Sequence, residues 1–126
     1  MAKLKELRLS GTTTTAGAAT VNATKAVEGK LYAVVFDKGD LADAANLVVS
    51  TQVYDVAKTI LTVTSAGAAD TMWYPRDLVH DTAAAALTGT SGGDRCLPLF
   101  VGIPRLAISG GGSEKTGGVI LFYEED

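Results

Sequence analysis

A single cysteine, a single histidine, three prolines and few aromatic residues (6%) mark this chain of 126 residues. With only Cys96, there is no intrachain disulfide and no cysteine-based zinc cluster. With only His80, a transition-metal site lacks its usual imidazole pair. No basic run exceeds a residue or two and the formal net charge is −3, so binding nucleic acid by neutralising phosphates is not expected. No apolar run approaches the roughly 20 residues that span a bilayer, so no membrane role is expected. The opening "MAKLKELRLSG" lacks the apolar core of a secretory signal. These absences suit a protein made soluble in a reducing cytoplasm, with Cys96 read as a small buried apolar residue.

What is abundant is alanine, threonine and glycine, within a chain that is 47% hydrophobic. The length suits one domain over residues 1–126, large enough for one core. β-Branched runs alternate with clusters of Gly, Ala, Ser, Thr and Asp, the rhythm of strands and turns. Residues 3–9 alternate with a period of two and read as a strand or an extended arm, and 1–17 as a whole is a candidate N-terminal arm. "SGTTTTAGAAT" reads as an exposed link before a strand near 18–23. "GKLYAVVFD" has a continuous apolar run, which predicts burial on both faces. "NLVVSTQVYDV" and "KTILTVTS" give two more strands, the second placing Leu61 and Val63 opposite Ile60, Thr62 and Thr64. "RCLPLFVGIP" and "RLAISG" read as a strand pair kinked at Pro98 and Pro104, and "VILFYEED" as a final strand. "DTAAAALTG" predicts one short helix near 82–87. The whole predicts an all-β fold: a single antiparallel β-sandwich or jelly-roll-like domain of about eight or nine short strands.

Several stretches imitate chemistry. "TGTSGGD" spells like a serine-protease nucleophile, with His80 as base and Asp81 or Asp94 to orient it. Only ten residues separate His80 from Ser91 (91 − 80 = 11 positions), and the strand–serine–helix setting of a hydrolase elbow is missing. A glycine-rich turn fits better. "GGGSEKTGG" resembles the end of a phosphate loop, yet Glu114 precedes Lys115 where glycine is required, and a strand follows. It reads as a flexible hairpin loop. Asp37, Asp40 and Asp43 do not match calcium-loop spacing and read as turn and cap residues. No catalytic, cofactor or metal residue is assigned, and no enzymatic activity is expected. In "MWYPR", Trp73, Tyr74 and Arg76 are the candidate protein-interface residues, because those types are enriched in interfaces. Trp73 and Tyr74 could also stack on a sugar, and Trp73 could simply fill the core.

From Tyr32 onward the series "YAVVFDKGDLADAANLVVST", "AKTILTVTSAGAADTMWYPR", "HDTAAAALTGTSGGDRCLPLF" and "RLAISGGGSEKTGGVILFYEE" resembles small β-rich proteins encoded among the head genes of tailed bacteriophages. The resemblance implies a capsid decoration, or cement, protein on the virion exterior, made in the host bacterial cytoplasm. Its implied partners are the major capsid protein and further copies of itself, as a homodimer or homotrimer. The alternatives are a head–tail connector or tail component and, more remotely, a carbohydrate-binding β-sandwich. The family supplies no catalytic residues.

Overall fold

The structure, a computed structural model, describes residues 3–78 and 95–125. Among the described residues ten strands follow one another: β1 (Lys3–Thr12), β2 (Ala19–Asn22), β3 (Val27–Asp37), β4 (Asn46–Val53), β5 (Val56–Val63), β6 (Thr71–Trp73), β7 (Asp77–Leu78), β8 (Arg95–Cys96), β9 (Leu99–Ser109) and β10 (Thr116–Glu125). All their pairings are antiparallel. Among the described residues there is no helix; the helix expected near 82–87 lies outside them.

The pairings resolve into two layers. Sheet A runs β1-β10-β3-β6 and sheet B runs β2-β9-β4-β5, with β7 and β8 forming a separate small ladder. This interleaving, with β1 beside β10 and β2 beside β9, is the strand order of a jelly roll. The all-β sandwich expected from the sequence is what the chain forms. Its inner faces follow the period of two: Leu9, Val119, Leu121, Val34 and Phe36 from sheet A meet Leu47, Val49, Leu106 and Ile108 from sheet B.

One strand belongs to both sheets. The first residues of β9 pair with β3 (Leu99↔Lys30 to Gly102↔Val27), and the rest pair with β4 (Ile103↔Gln52 to Ser109↔Asn46). The switch falls at Gly102, whose φ is 109°. A Cβ there would sit 2.3 Å from the Gln52 carbonyl oxygen, so only glycine lets the two backbones approach this closely. The expected division into two strands kinked at Pro98 and Pro104 is therefore corrected. Pro98 lies before β9, and Pro104 sits inside one continuous strand, its carbonyl accepting the Ala23 N–H at 2.8 Å.

Residues 3–12 form a strand, one of the two expected alternatives, bound to β10 along its whole length. Two other expectations change. The threonine-rich link is anchored rather than exposed throughout: Thr13 is 3% exposed. The "GGGSEKTGG" turn is likewise fastened. The Thr13 hydroxyl donates to the Gly112 carbonyl at 2.6 Å and accepts the Lys115 N–H at 2.9 Å, while Gly111 N–H reaches the Gly17 carbonyl at 3.0 Å.

Candidate functional site

The site starts with a bulge. Across the β10–β3 ladder, Phe122 faces Ala33 and Tyr123 faces Leu31, which leaves Tyr32 as an extra residue. A bulge breaks the alternation, so Tyr32 and Ala33 both project from the outer face of sheet A. Beyond it the phase is restored, and Val34 and Phe36 return to the core. The apolar run of "GKLYAVVFD" was expected to be buried on both sides; Tyr32 is in fact 39% exposed and Val35 only half-buried.

Register then assembles the outer face row by row. Leu4, Glu124, Lys30 and Leu99 lie side by side across β1, β10, β3 and β9. The next row holds Glu6, Phe122 and Ala33, and the third Arg8, Ile120, Val35 and Met72. A groove of about 510 Å3 opens along these rows, lined by Leu4, Tyr32, Ala33, Met72, Phe122 and Glu124. Of the exposed large apolar side chains, Leu4, Tyr32, Met72, Tyr74 and Leu99 lie on or beside this face. The outer face of sheet B is more polar: Thr20, Asn22, Ser50, Gln52, Thr62 and Arg105 share it with Val48, Ala107 and Ile103, and Arg105 donates to Asn22 at 2.7 Å and Gln52 at 3.0 Å. The larger continuous apolar area is on sheet A.

Polar groups on the groove are few and placed. The Tyr32 hydroxyl donates to the Glu124 carboxylate at 2.8 Å. That hydrogen bond, with the carboxylate charge behind it, holds the phenol above its ordinary pKa of 10.0, against a smaller lowering by the Arg76 charge. Arg76 donates to the Tyr32 carbonyl at 3.0 Å and the Pro75 carbonyl at 2.6 Å, which fixes it beside the bulge. Arg8 is tied to Asp37 at 2.8 Å across β10.

The "MWYPR" residues therefore part company. Trp73 turns inward and stacks on Phe36 with ring centroids 5.8 Å apart, as its core alternative required. Tyr74 is 62% exposed, its hydroxyl 2.8 Å from the Met72 sulfur, and Arg76 sits by the groove. Sequence reasoning missed Leu4, Tyr32, Ala33, Phe122 and Glu124, which only strand register brings together. Cys96 is exposed, which corrects its expected burial: it occupies the two-residue β8 at the margin, not a core strand.

A second apolar cluster lies at the β4–β5 turn. Tyr54 is 98% exposed at the tip, between Val53 and Val56, and Ile103 flanks it opposite Gln52. Tyr54 has φ of 54°, a left-handed conformation that costs a residue with a Cβ about 1–2 kcal/mol. The aspartates of "DKGDLAD" diverge: Asp37 binds Arg8, Asp40 accepts the Thr116 N–H at 2.6 Å, and Asp43 pairs with Lys38 at 3.4 Å. Among the described residues no group of three or more His, Cys, Asp or Glu is placed to hold a metal, and no helix is long and apolar enough to cross a membrane. His80, Asp81, Ser91 and Asp94 lie outside the described residues.

No protein-family model matches the chain, and no curated protein matches it. Among solved structures, a chain from the structure of infectious bursal disease virus, Gx strain, aligns at a TM-score of 0.29 and 12% identity. The alignment covers 99% of this chain and 42% of that chain, so this chain spans less than half the length of that protein. A score this low gives the likeness no weight.

Proposed function

We propose that the chain is a structural virion protein that decorates the outside of a bacteriophage head and stabilises the assembled shell. The observation that carries this reading is a small jelly roll with two separate unfinished apolar surfaces: the outer face of sheet A, and the Tyr54 turn in sheet B. A subunit that ties neighbours together in an array needs more than one contact surface. The phage-head resemblance of residues from Tyr32 onward points the same way. Jelly rolls also serve as lectin domains, so the fold alone does not choose a function. Trp73, half of the proposed sugar platform, is committed to the core against Phe36, which disfavours the carbohydrate reading. In this proposal the partners are the major capsid protein and other copies of the chain, and no catalytic residue is involved.

Decoration is tested by a copy count on purified particles. Symmetric coverage predicts a ratio to the major capsid subunit of order one, or about one-third to one-half. A few dozen copies or fewer would replace decoration by the connector or tail reading. Absence from the particle would overturn both.

A further inference from the structure

We infer that the outer face of sheet A is the contact surface for a second copy of the same chain, packed face to face about a two-fold axis parallel to the strands. The inference concerns this face alone and holds for a decoration or a connector role.

The argument is one of complementarity. The four strands of sheet A run β1-β10-β3-β6, with Leu99 of β9 completing the first row. A two-fold axis lying between β10 and β3, along their direction, places β10 of one copy over β3 of the other and β1 over the β6 side. Such aligned sheet-on-sheet packing is the ordinary way two β faces meet. Row by row, it sets unlike partners together. Glu124 falls over Lys30 of the second copy, because the two are neighbours across the β10–β3 ladder. Phe122 falls over Ala33, a large ring over the smallest apolar side chain on the face. Ile120 falls over Val35, and Leu4 over Leu99.

The charges left unmatched within the chain follow the same division. Among the described residues, Arg8 is satisfied by Asp37 and Lys5 by Glu125, while Glu6 and Lys30 have no ion pair. Glu124 meets only the neutral Tyr32 hydroxyl, and Arg76 only carbonyl oxygens. Glu6 and Glu124 are on the β1–β10 half, and Lys30 and Arg76 on the β3–β6 half, where one further carboxylate, Glu28, stands at the start of β3. Under the proposed axis Glu124 lies over Lys30 of the second copy, with Glu28 beyond the end of that row. Under an axis perpendicular to the strands, carboxylate would meet carboxylate. The Glu124 and Lys30 positions are thus complementary in one orientation and not in the other, which is how charge fixes register at an interface.

The size of the face sets the strength. Strands about 4.8 Å apart, followed for roughly seven residues of about 3.3 Å, give on the order of 450 Å2 per copy across four strands. About 900 Å2 for the pair is below the standard stable interface. The expected dimer is therefore weak and concentration-dependent, with a Kd of micromolar or higher.

Sedimentation equilibrium over about 1 µM to about 1 mM tests it, with folding of every variant checked by urea unfolding. The wild-type chain is expected to fit a monomer–dimer equilibrium. Glu124→Lys alone and Lys30→Glu alone each bring like charges together at both symmetry-related positions, and each is expected to weaken the dimer at least about tenfold. An equimolar mixture of the two variants restores opposite charge at both positions, so it is expected to form a heterodimer that neither variant forms with itself. Tyr54→Ser is expected to leave association unchanged. A wild-type chain that stays monomeric, a trimer, a mixture that fails to associate, or loss of the dimer in Tyr54→Ser would each overturn the inference. None of these results would alter the copy number on particles, so decoration and self-pairing stand or fall separately.

Discussion

Thr13 ties two loops together with one hydroxyl. It lies between β1 and β2, is 3% exposed, donates to the Gly112 carbonyl and accepts the Lys115 N–H. Valine has the same shape but would remove both hydrogen bonds from this part-buried site. Thr13→Val is expected to lower stability by about 1–3 kcal/mol, seen as a lower urea midpoint at unchanged slope, with Thr13→Ser much milder. Tyr32 gives a second prediction at this scale. Its hydrogen bond to Glu124 favours the protonated phenol, so the folded pKa lies above the unfolded value. The stabilisation is then fully present below pH 10.0 and is lost as pH rises through the folded pKa. The phenolate titration missing from Tyr32→Phe is expected above 10.0, and Glu124→Ala is expected to bring the Tyr32 titration down. A Tyr32 midpoint at or below 10.0 would contradict the geometry.

At the scale of the element, β9 decides how the two sheets are joined. Its turn from sheet A to sheet B rests on Gly102, where a Cβ would meet the Gln52 carbonyl oxygen and the Val53 side chain. Gly67 offers a control, because it also has positive φ (99°) but open space around it. Gly67→Ala carries only the conformational cost, about 1–3 kcal/mol, whereas Gly102→Ala adds a backbone clash and is expected to be clearly worse. Equal losses in the two variants, measured by urea unfolding, would remove the close approach as the reason for glycine. The inward turn of Leu61 and Val63 was legible in the sequence because a half-buried strand writes its period directly, but Ile60, expected on the opposite face, also packs against the core, because the β4–β5 ladder skips it. The bend at Gly102 was not, because Pro98 and Pro104 are the louder local signals and the clash is with a residue fifty positions away (102 − 52). The Tyr32 bulge was hidden for a related reason. It exists only relative to β10, and nothing in "KLYAVVF" distinguishes an apolar residue held for the core from one held for the outer face.

For the whole molecule, the asymmetry between the two outer faces is the feature with consequences. The sequence supported an all-β sandwich because strand and turn chemistry is local. It could not place Leu4 beside Glu124, or Met72 beside Val35, because those neighbours are set by register between distant segments. Tyr74 and Arg76 were candidates by residue type alone, and strand geometry leaves Tyr74 exposed and Arg76 beside the bulge; Trp73 by the same reasoning was ambiguous until its ring was seen against Phe36. In the decoration proposal, a jelly roll with apolar surfaces in both sheets lends stability to the shell it joins. Binding to the assembled shell but not to free capsid subunits stabilises the shell by RT ln(1 + [L]/Kd) per site, about 2.7 kcal/mol when the free protein is at 100 times its Kd. Particles stripped of the protein are therefore expected to lose their contents at a lower temperature than intact ones. Adding the protein back should raise that temperature with its concentration and saturate at the copy number of the intact particle. With the outer face of sheet A assigned to a second copy, Tyr54→Ser is the variant expected to block rebinding, and its unimpaired rebinding would remove the Tyr54 turn as the shell contact. A particle whose heat resistance is unmoved by removal and return of the protein would leave it no cementing role.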